Sequence, residues 1–396
     1  MRIGMILDYA FPPDPRVENE AVSLINAGHK VYLFCLNYSD EMARQRINGI
    51  YVCRYKCTII DYKLSALAYT VPLYKMRMKP RVRSFILENK IEALHIHDIR
   101  IAETVFNVNK EFNLPTVLDL HDNMPEVMKL YPHLQKFPGK YIISPKNWKI
   151  KEEEFIYKAT NVITVSNEFI EEVITRTKID SDKIKLVPNT IRESFYKEAK
   201  IDQSILNKYK GKKVILYLGD THVRRGLQTA IQGVVELASE FPTIKLVIVG
   251  RNSTDHILKK QVHDLNAEKY VDFEGWQDVV LFPSYIAAST VCISPLHRNI
   301  QHDVAYANKI FQYMSMEKPL LISDATAQKR LIQKVGSGLV HLDRNVEDFK
   351  LKLRQLMEGE DLRESMGANG KKFIENEFTW EQTSKKLVHL YDKLSI

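Results

Sequence analysis

The chain has 396 residues and a formal net charge of +8, with 45% hydrophobic and 27% charged residues. That balance excludes long disorder, and the length favours two domains over one. Four cysteines are too few for a disulfide framework, and Cys53 and Cys57 lack the spacing of a zinc site, so a reducing compartment fits best.

The beginning of the chain and its apolar stretches favour a cytoplasmic protein. Met1–Leu7 read as the start of a strand, without the basic, apolar and small-residue parts of a secretory signal. Charged residues interrupt every apolar stretch before the roughly 18–20 residues that a membrane span requires. We therefore expect a protein that is soluble or peripheral at the inner face of the membrane.

Basic residues are concentrated between residues 54 and 83, where aromatic and apolar side chains lie among them. This mixture fits an anionic membrane surface, and it fits equally well a solvated helix face beside a buried one. No recognition motif for nucleic acid accompanies the charge, so nucleic acid is not an expected partner. The residues are Arg54, Lys56, Lys63, Lys75, Arg77, Lys79, Arg81 and Arg83, with Tyr69, Leu73, Tyr74, Met76 and Met78.

The first half of the chain alternates short apolar strands with amphipathic helices. A strand at Arg2–Asp8 is followed by a Pro-rich turn, a helix with Val17, Ala21 and Leu24 on one face, and a strand at Val31–Leu36. Short strands of this kind are typical of a parallel sheet that helices cover on both faces. Further strands are predicted at Ala93–His97, Thr116–Asp119, Val162–Ser166 and Ile184–Val187.

The alternation restarts after a Lys-rich passage, with strands at Val214–Gly219 and Ile244–Gly250, and amphipathic helices follow from Asn345. We predict an N-terminal domain at residues 1–195, a C-terminal domain at 196–375, and a last helix at 376–396 that crosses back to the first domain. Each domain is predicted to be a doubly wound parallel sheet, which binds ligands outside the carboxyl ends of its strands. The expected site is therefore a central cleft between the two domains.

A glycine-containing loop, Leu218 to Gly226, leads from a strand into a helix of the second domain. Its glycines allow the backbone to approach a ligand closely. Cations at a helix start are disfavoured by the helix dipole unless an anion lies between them, so Arg224 and Arg225 indicate a diphosphate ligand. Solvated arginines on a tight turn are the alternative.

Another polar loop leads into a helix at Asn308, and Lys309 and Gln312 share a face of that helix. A lysine there can neutralise phosphate, and an amide one turn later can hydrogen-bond sugar hydroxyls. In the first domain, His121 follows a strand and is flanked by Asp119 and Asp122. We expect His121 to bind sugar or phosphate and not a metal, since the two carboxylates do not form a cation cage; a structural histidine is the alternative.

The order and spacing of these motifs resemble glycosyltransferase family 4, the retaining enzymes of the GT-B fold. The resemblance implies an α/β protein with two Rossmann-like domains that face a central cleft. It extends over nearly the whole chain. The matching segments are Asp14-Pro15-Arg16-Val17 with Gly28-His29, His95-Ile96-His97-Asp98, Asp119-Leu120-His121-Asp122 with Pro125-Glu126, Val187-Pro188-Asn189, Leu218-Gly219 with Arg225-Gly226, Lys309 to Met314 with Lys318-Pro319, Gly336-Ser337-Gly338-Leu339, and Phe378-Thr379-Trp380-Glu381.

The resemblance also implies the roles of individual residues. The catalytic residues would be His121, Arg225 and Lys309; the donor-binding residues Gly219, Asp220, Arg224, Gly226, Arg251, Trp276, Asn308 and Gln312; and the acceptor-side residues Arg16, Asp98 and Asp122. The chain departs from the family at Asp220, where an arginine is usual, and at Val304 and Gln312, which replace two glutamates. Asp303 lies one residue from the first of these positions.

The resemblance implies a transferase that moves a sugar from a UDP- or GDP-sugar to a glycan or lipid-linked acceptor in cell-surface polysaccharide biosynthesis. The anomeric configuration would be retained, and neither a metal nor another cofactor would be needed. A nucleotide-sugar 2-epimerase and a non-catalytic sugar-nucleotide-binding subunit share this architecture and stay open as alternatives. A dehydrogenase is disfavoured, because no G-x-G-x-x-G motif follows the first strand.

Overall fold

The computed structural model describes residues 1–131, 134, 136–137 and 139–394. These residues form two compact units: residues 1–188 with the segment that begins at Ser384, and residues 189–383. Each unit is built on a sheet whose strands are parallel, apart from one edge strand, which confirms the predicted pair of α/β domains. Within the described residues, no helix is both long and apolar enough to cross a bilayer.

The first unit contains an eight-stranded sheet among its described residues. Its strands are β1 (Arg2–Ile6), β2 (Lys30–Asn37), β3 (Arg44–Ile47), β4 (Ile50–Lys56), β5 (Ala93–His97), β6 (Thr116–Leu120), β7 (Asn161–Thr164) and β8 (Ile184–Leu186). They lie in the order β3-β4-β2-β1-β5-β6-β7-β8, and only β3 pairs antiparallel, with β4. The chain reverses its direction across the sheet between β1 and β5, the switch point at which doubly wound sheets bind ligands.

Helices cover the sheet of the first unit, and α1 shows why they form where they do. The Asp14 side chain accepts a hydrogen bond of 3.1 Å from the Val17 amide and caps the helix, and Pro15 occupies its first turn. Val17, Ala21 and Leu24 are fully buried against the sheet. The helices are α1 (Pro15–Asn26), α2 (Ile59–Ser65), α3 (Leu73–Asn89), α4 (Ala102–Asn109), α5 (Met124–Met128), α6 (Gly139–Ile142), α7 (Pro145–Lys158) and α8 (Asn167–Thr177).

The second unit has a six-stranded, wholly parallel sheet. Its strands are β9 (Lys213–Leu218), β10 (Ile244–Val249), β11 (Val271–Gly275), β12 (Val291–Ser294), β13 (Leu320–Ser323) and β14 (Gly338–His341). The order β11-β10-β9-β12-β13-β14 is that of a doubly wound nucleotide-binding sheet, with its switch point between β9 and β12.

Successive residues of β9 alternate between two cores, because side chains along a strand point to opposite faces. Ile215 and Tyr217 pack into one core and Val214, Leu216 and Leu218 into the other, so the sheet is buried on both faces. The helices of this unit are α9 (Ser194–Lys197), α10 (Gln203–Lys208), α11 (Leu227–Leu237), α12 (Asp255–Asp264), α13 (Phe282–Ala288), α14 (Ile300–Val304), α15 (Lys309–Ser315), α16 (Thr326–Val335), α17 (Val346–Glu358), α18 (Glu360–Phe373) and α19 (Trp380–Thr383).

The last helix, α20 (Lys385–Leu394), belongs to the first unit and buries Leu387 and Tyr391. The observed bounds of the units differ from the predicted domain bounds at both junctions. Ile191 lies in a core of the second unit, so the chain divides after Pro188 and not after residue 195. Residues 376–383 also stay with the second unit, where the Trp380 amide donates a hydrogen bond of 2.8 Å to the carbonyl of Ile191.

Candidate active site

The loop after β9 in the second unit is organised around the carboxylate of Asp220. Its Oδ2 lies 3.2 Å from Arg225 Nε and 3.7 Å from Arg224 Nη2, and its Oδ1 accepts a hydrogen bond of 2.7 Å from Asn252. Burial alone would raise the pKa of Asp220, but Arg225 and Asn252 outweigh it and lower the pKa. The anion that the sequence required beside the two arginines is therefore present in the structure as this carboxylate.

Lys309, at the start of α15, lies beside the same loop. Its Nζ lies 3.4 Å from the centre of the Tyr217 ring, and a Cβ added to Gly219 would come within 3.5 Å of that amine. Burial and the nearby charge of Arg225 lower the pKa of Lys309 well below its usual range. The structure thus brings Arg225 and Lys309, which belong to different motifs, to one edge of the sheet, where a bound anion would relieve their crowding.

The glycines around this loop serve different purposes. Gly219 has a φ of +110°, and beside it an added Cβ would meet only the Lys309 side chain, so its open side faces that amine. Gly226 has a φ of +73°, and a Cβ there would lie 1.7 Å from the carbonyl oxygen of Pro295. Gly226 is therefore required for backbone packing, and its assignment to donor binding stays a prediction.

In the first unit, His121 follows β6 between two carboxylates. Its Nε2 is hydrogen-bonded to Asp119 Oδ2, and its backbone amide donates to Asp98 Oδ1 at 3.2 Å. Burial disfavours the charged imidazole, but Asp119 and Asp98 outweigh burial and raise the pKa of His121 to about 9. Burial also raises the pKa of Asp98, to about 6. His121 therefore carries a positive charge at neutral pH.

Asp119 owes its orientation to Arg16. The Arg16 guanidinium donates from Nε to Asp119 Oδ2 at 3.1 Å and from Nη2 to Oδ1 at 2.7 Å, and a third donor reaches the Val187 carbonyl at 3.0 Å. Arg16 is only 4% exposed. The guanidinium thus lies behind Asp119, whereas Asp122 is exposed on the loop, and the acceptor-side roles expected for Arg16 and Asp122 stay predictions.

A buried group behind His121 consists of Glu20, His95, His97 and Asp119, whose ligand-type atoms lie within 4.8 Å of one another. Arg16 lies within 2.9 Å of Glu20 and within 2.7 Å of Asp119. The protein itself thus supplies the positive charge that a cation would bring to this group. Ion pairs with Arg16 therefore account for the two buried carboxylates of this group.

The chain matches two known family models, one in each half. Residues 16–195 match the family described as Glycosyltransferase Family 4, and residues 198–373 match Glycosyl transferases group 1. The chain belongs to glycosyltransferase family 4. The predicted family resemblance is confirmed.

Three proteins show the range of the likeness. The chain is 21% identical to the phosphatidyl-myo-inositol mannosyltransferase of Mycolicibacterium smegmatis, over 100% of this chain and 94% of that protein. Sucrose-phosphate synthase of Thermosynechococcus elongatus has a TM-score of 0.79 at 15% identity, covering 99% of this chain and 98% of that one. HepE of Anabaena in complex with UDP-glucose has a TM-score of 0.72 at 13% identity, covering 99% and 100%. These structural likenesses confirm the GT-B fold of this glycosyltransferase.

The structure also places the residues at which this glycosyltransferase departs from its family. Val304 is buried, and Gln312 is half-buried on α15. Asp303 does not replace the missing glutamate, because it pairs with Arg298 at 3.1 Å and accepts a hydrogen bond of 2.8 Å from the Thr326 amide at the start of α16. Asp303, next to the expected glutamate position, thus stabilises the start of α16.

The remaining predicted donor residues lie at the same edge of the second sheet. Arg251 and Trp276 follow β10 and β11, which are neighbouring strands, and both side chains are exposed. Trp276 is 64% exposed, which is unusual for a side chain of its size. Asn308 is exposed at the residue preceding α15. Their assignment to donor binding stays a prediction.

The sequence interpretation missed the residues behind His121. His95 and His97 alternate along β5, which puts both side chains on one face of a buried strand, and Glu20 is one helical turn from Arg16. Those spacings could have marked the three residues as one group. No sequence spacing indicates that Tyr391 belongs to this group, because the two residues of its hydrogen bond with His95 are 296 positions apart.

The basic segment at residues 54–83 is less free to meet a membrane than its sequence indicates. Arg54 is buried and donates to the carbonyls of Phe11 and Met42, and Tyr74 and Met78 are core residues. Most other cations pair with acids: Lys56 with Asp40, Lys75 with Glu103, Arg77 and Arg81 with Asp61, and Arg83 with Glu111. In the part of the chain that the structure describes, Lys63 and Lys79 are exposed and make no ion pair.

Proposed function

We propose that this glycosyltransferase moves a sugar from a UDP- or GDP-sugar to a glycan or lipid-linked acceptor, with retention and without a metal ion. The observation that carries the proposal is the meeting of Arg225 and Lys309 beside Gly219 at the carboxyl edge of the second sheet. Doubly wound sheets bind nucleotides at this edge. HepE was crystallised with UDP-glucose, and the Mycolicibacterium relative is a mannosyltransferase, which supports a nucleotide-sugar donor.

In the proposed reaction the bond between the anomeric carbon and the β-phosphate oxygen breaks, and negative charge grows on the departing diphosphate. Arg225 and Lys309, with Arg224 next to them, stabilise that charge, and the N-terminus of α11 adds its dipole. The acceptor oxygen forms the new bond on the same face of the sugar and passes its proton to the departing phosphate. In this proposal these side chains provide the positive charge that a metal ion provides in other transferases.

His121 is proposed to contact the transferred sugar as a hydrogen-bond donor. Its raised pKa keeps both ring nitrogens protonated at neutral pH, so it is unsuited to act as a general base. Nε2 is taken by Asp119, whereas Nδ1 lies 3.8 Å from Asp98 Oδ2, beyond hydrogen-bond distance. The Nδ1 proton is therefore the one that a sugar hydroxyl can accept.

The acceptor is proposed to be lipid-linked and to be used at the cytoplasmic face of the membrane, in cell-surface polysaccharide biosynthesis. An apolar surface on α2 and α3 supports this: Ile59, Ile60 and Met76 are each about 60% exposed or more, and Lys63 and Lys79 lie on the same two helices. Apolar side chains with neighbouring lysines suit an anionic bilayer.

Sedimentation with liposomes tests the membrane part of the proposal. Vesicles that carry anionic lipid should sediment the protein at low salt, and the pair Ile59→Asp and Ile60→Asp should abolish the effect. Leu351→Asp is the matched control, because Leu351 is 48% exposed on α17 of the second unit. Equal sedimentation of all three proteins would contradict the proposed surface.

Thermal denaturation with nucleotide sugars tests the donor. UDP- or GDP-sugars should raise the unfolding midpoint, whereas ADP- and CMP-sugars should not, because a ligand that binds the native state stabilises it. Arg225→Ala should lose the response. Arg354→Ala is the control, since Arg354 forms a comparable ion pair with Glu240 at 2.7 Å on the surface. A response that survives in Arg225→Ala would refute the diphosphate assignment.

The missing glutamates support one other function, a non-catalytic sugar-nucleotide-binding subunit, because Val304 and Gln312 have no carboxylate. Turnover of the donor separates the cases. A transferase hydrolyses the donor slowly or consumes it when the acceptor is added, a 2-epimerase converts the donor alone, and a binding subunit leaves it unchanged.

A further inference from the structure

A continuous array of polar side chains connects the C-terminal helix to His121 within the first unit. The Tyr391 hydroxyl on α20 lies 2.9 Å from His95 Nδ1, and His95 Nε2 lies 3.2 Å from Glu20 Oε2. Glu20 Oε1 in turn lies 2.9 Å from Arg16 Nη2. The array therefore crosses from α20 through β5 to α1.

The second half of the array leads from Arg16 to the proposed active site. Arg16 contacts both oxygens of Asp119, and Asp119 is hydrogen-bonded to His121. Glu20, His95 and Asp119 are fully buried, whereas the His121 side chain is 17% exposed. His121 is thus the end of the array that a ligand can reach.

Buried charged groups of this kind are an unfavourable way to stabilise a protein core. Each buried charge carries a desolvation penalty that its partners must offset, and apolar residues of similar volume often stabilise a core as well or better. Glu20 makes no contact with His121 and faces Arg16 and His95. Its carboxylate therefore acts on His121 through Asp119, which it reaches by way of Arg16 and of His95, whose Nε2 lies 3.7 Å from Asp119 Oδ2.

We propose that Glu20 is a positioning residue for His121: it anchors Arg16, which aligns the Asp119 carboxylate that orients the His121 ring. Tyr391 anchors the other end of the array and gives the C-terminal helix a part in the site. This inference rests on the proposed function only in taking His121 as the residue that meets the sugar.

The charges around His121 determine the sign of the expected effect. Asp119 and Asp98 favour the charged imidazole, whereas burial and Arg16 oppose it. His97 is 3.2 Å from His121 Nε2, and burial and His95 lower its pKa to about 4, so it is neutral. Replacing the Glu20 carboxylate by an amide leaves the charge of Arg16 less compensated, which should lower the pKa of His121.

Nuclear magnetic resonance of ¹⁵N-histidine-labelled protein tests the inference, because it reports the titration of His121 without any substrate. The His121 midpoint should fall by about one pH unit in Glu20→Gln, and Glu20→Asp, which keeps the charge, should restore most of it. Glu152→Gln is the matched control: Glu152 is a fully buried carboxylate of the same unit, and it pairs with Arg176. Its replacement should leave the His121 midpoint unchanged.

Tyr391→Phe removes one hydroxyl from the far end of the array and should lower the midpoint by a smaller amount. It decides the question if Glu20→Gln does not fold. A His121 midpoint that equals that of the wild type in folded Glu20→Gln, or in Tyr391→Phe where the first variant is unfolded, overturns the inference. Because no donor is present in this experiment, a failure of the proposed transfer reaction would leave its outcome unaffected.

Discussion

Replacement of Lys309 by methionine removes one positive charge from the proposed diphosphate site and keeps most of the side chain's volume. The Lys309 stem and amine pack on the Tyr217 ring, with Nζ 3.4 Å from its centre, and methionine can keep that packing. The charge of Arg225 is partly compensated by Asp220, whose Oδ2 lies 3.2 Å from Arg225 Nε, whereas Lys309 faces an aromatic ring. Lys309 is therefore the less neutralised of the two cations.

The expected loss follows from the role of the charge. A preorganised contact that strengthens as charge develops on the leaving group is worth about 2.7–4 kcal/mol, which is about 100–1,000-fold in kcat/KM. Because Lys309 has the less compensated charge, we expect Lys309→Met to approach the upper end of this range. Lys269→Met is the matched control, since the Lys269 amine lies 4.6 Å from the centre of the Tyr270 ring on an exposed surface of the same unit.

Proton uptake gives a second measurement of the same residue. In the ligand-free protein, burial and Arg225 lower the pKa of Lys309, so bound diphosphate should raise it again. Binding then takes up protons between the two pKa values, and affinity falls as the pH rises through that interval. Calorimetry with UDP and GDP in buffers of different ionisation enthalpy measures this uptake. Wild-type binding without proton uptake, together with a loss below fivefold in Lys309→Met, would refute the reasoning.

Three other predictions follow from single residues. Gln312→Glu should tighten UDP or GDP binding about fivefold in calorimetric titrations, because a charged acceptor bonds ribose hydroxyls more strongly; unchanged affinity would count against that contact. Gly226→Ala should lower the free energy of unfolding by about 3 kcal/mol or more in denaturant titrations, whereas Gly28→Ala, which has a positive φ but open space, should cost about 1 kcal/mol. The His121 pKa is raised in the folded protein from 6.5 to about 9, so its contribution is complete below pH 6.5 and is lost as the pH rises through 9. Stability should therefore fall by about 3 kcal/mol over that interval, and His121→Gln should remove this part of the fall.

Much of the fold could be predicted because it depends on local patterns. The runs at Ala93–His97 and Ile244–Val249 form strands within one residue of the predicted bounds, because short, mostly apolar runs suit strands that are buried on both faces. The antiparallel strand Arg44–Ile47 was not predicted. Its first three residues are polar and exposed and only Ile47 is apolar, so the segment lacks the alternation of apolar and polar residues that marks a strand. The parallel pairing of most other strands followed from the helices between them, whereas β4, which pairs parallel with β2 without an intervening helix, was not predicted.

The chemistry of the loop from Leu218 to Gly226 could be predicted only in part from the sequence. Arg224 and Arg225 indicated an anion, and the structure shows that Asp220, four and five residues earlier, already provides one. The sequence marked Asp220 as a departure from the family without showing that its side chain turns toward the arginines. That direction depends on Asn252, which comes from the loop after a different strand.

The sequence by itself determined the two α/β units, the family, and the motifs that contain Arg225, Lys309 and His121. Periodicity, loop residues and motif order can be recognised along the sequence without knowing which distant segments are in contact. Only the tertiary structure decided which of these residues meet, that Arg16 supports Asp119 from behind, and that Tyr391 belongs to the network of His121. Those relations depend on backbone segments brought together by the burial of apolar surface, and a buried charge takes its partner from whatever element packing places within reach.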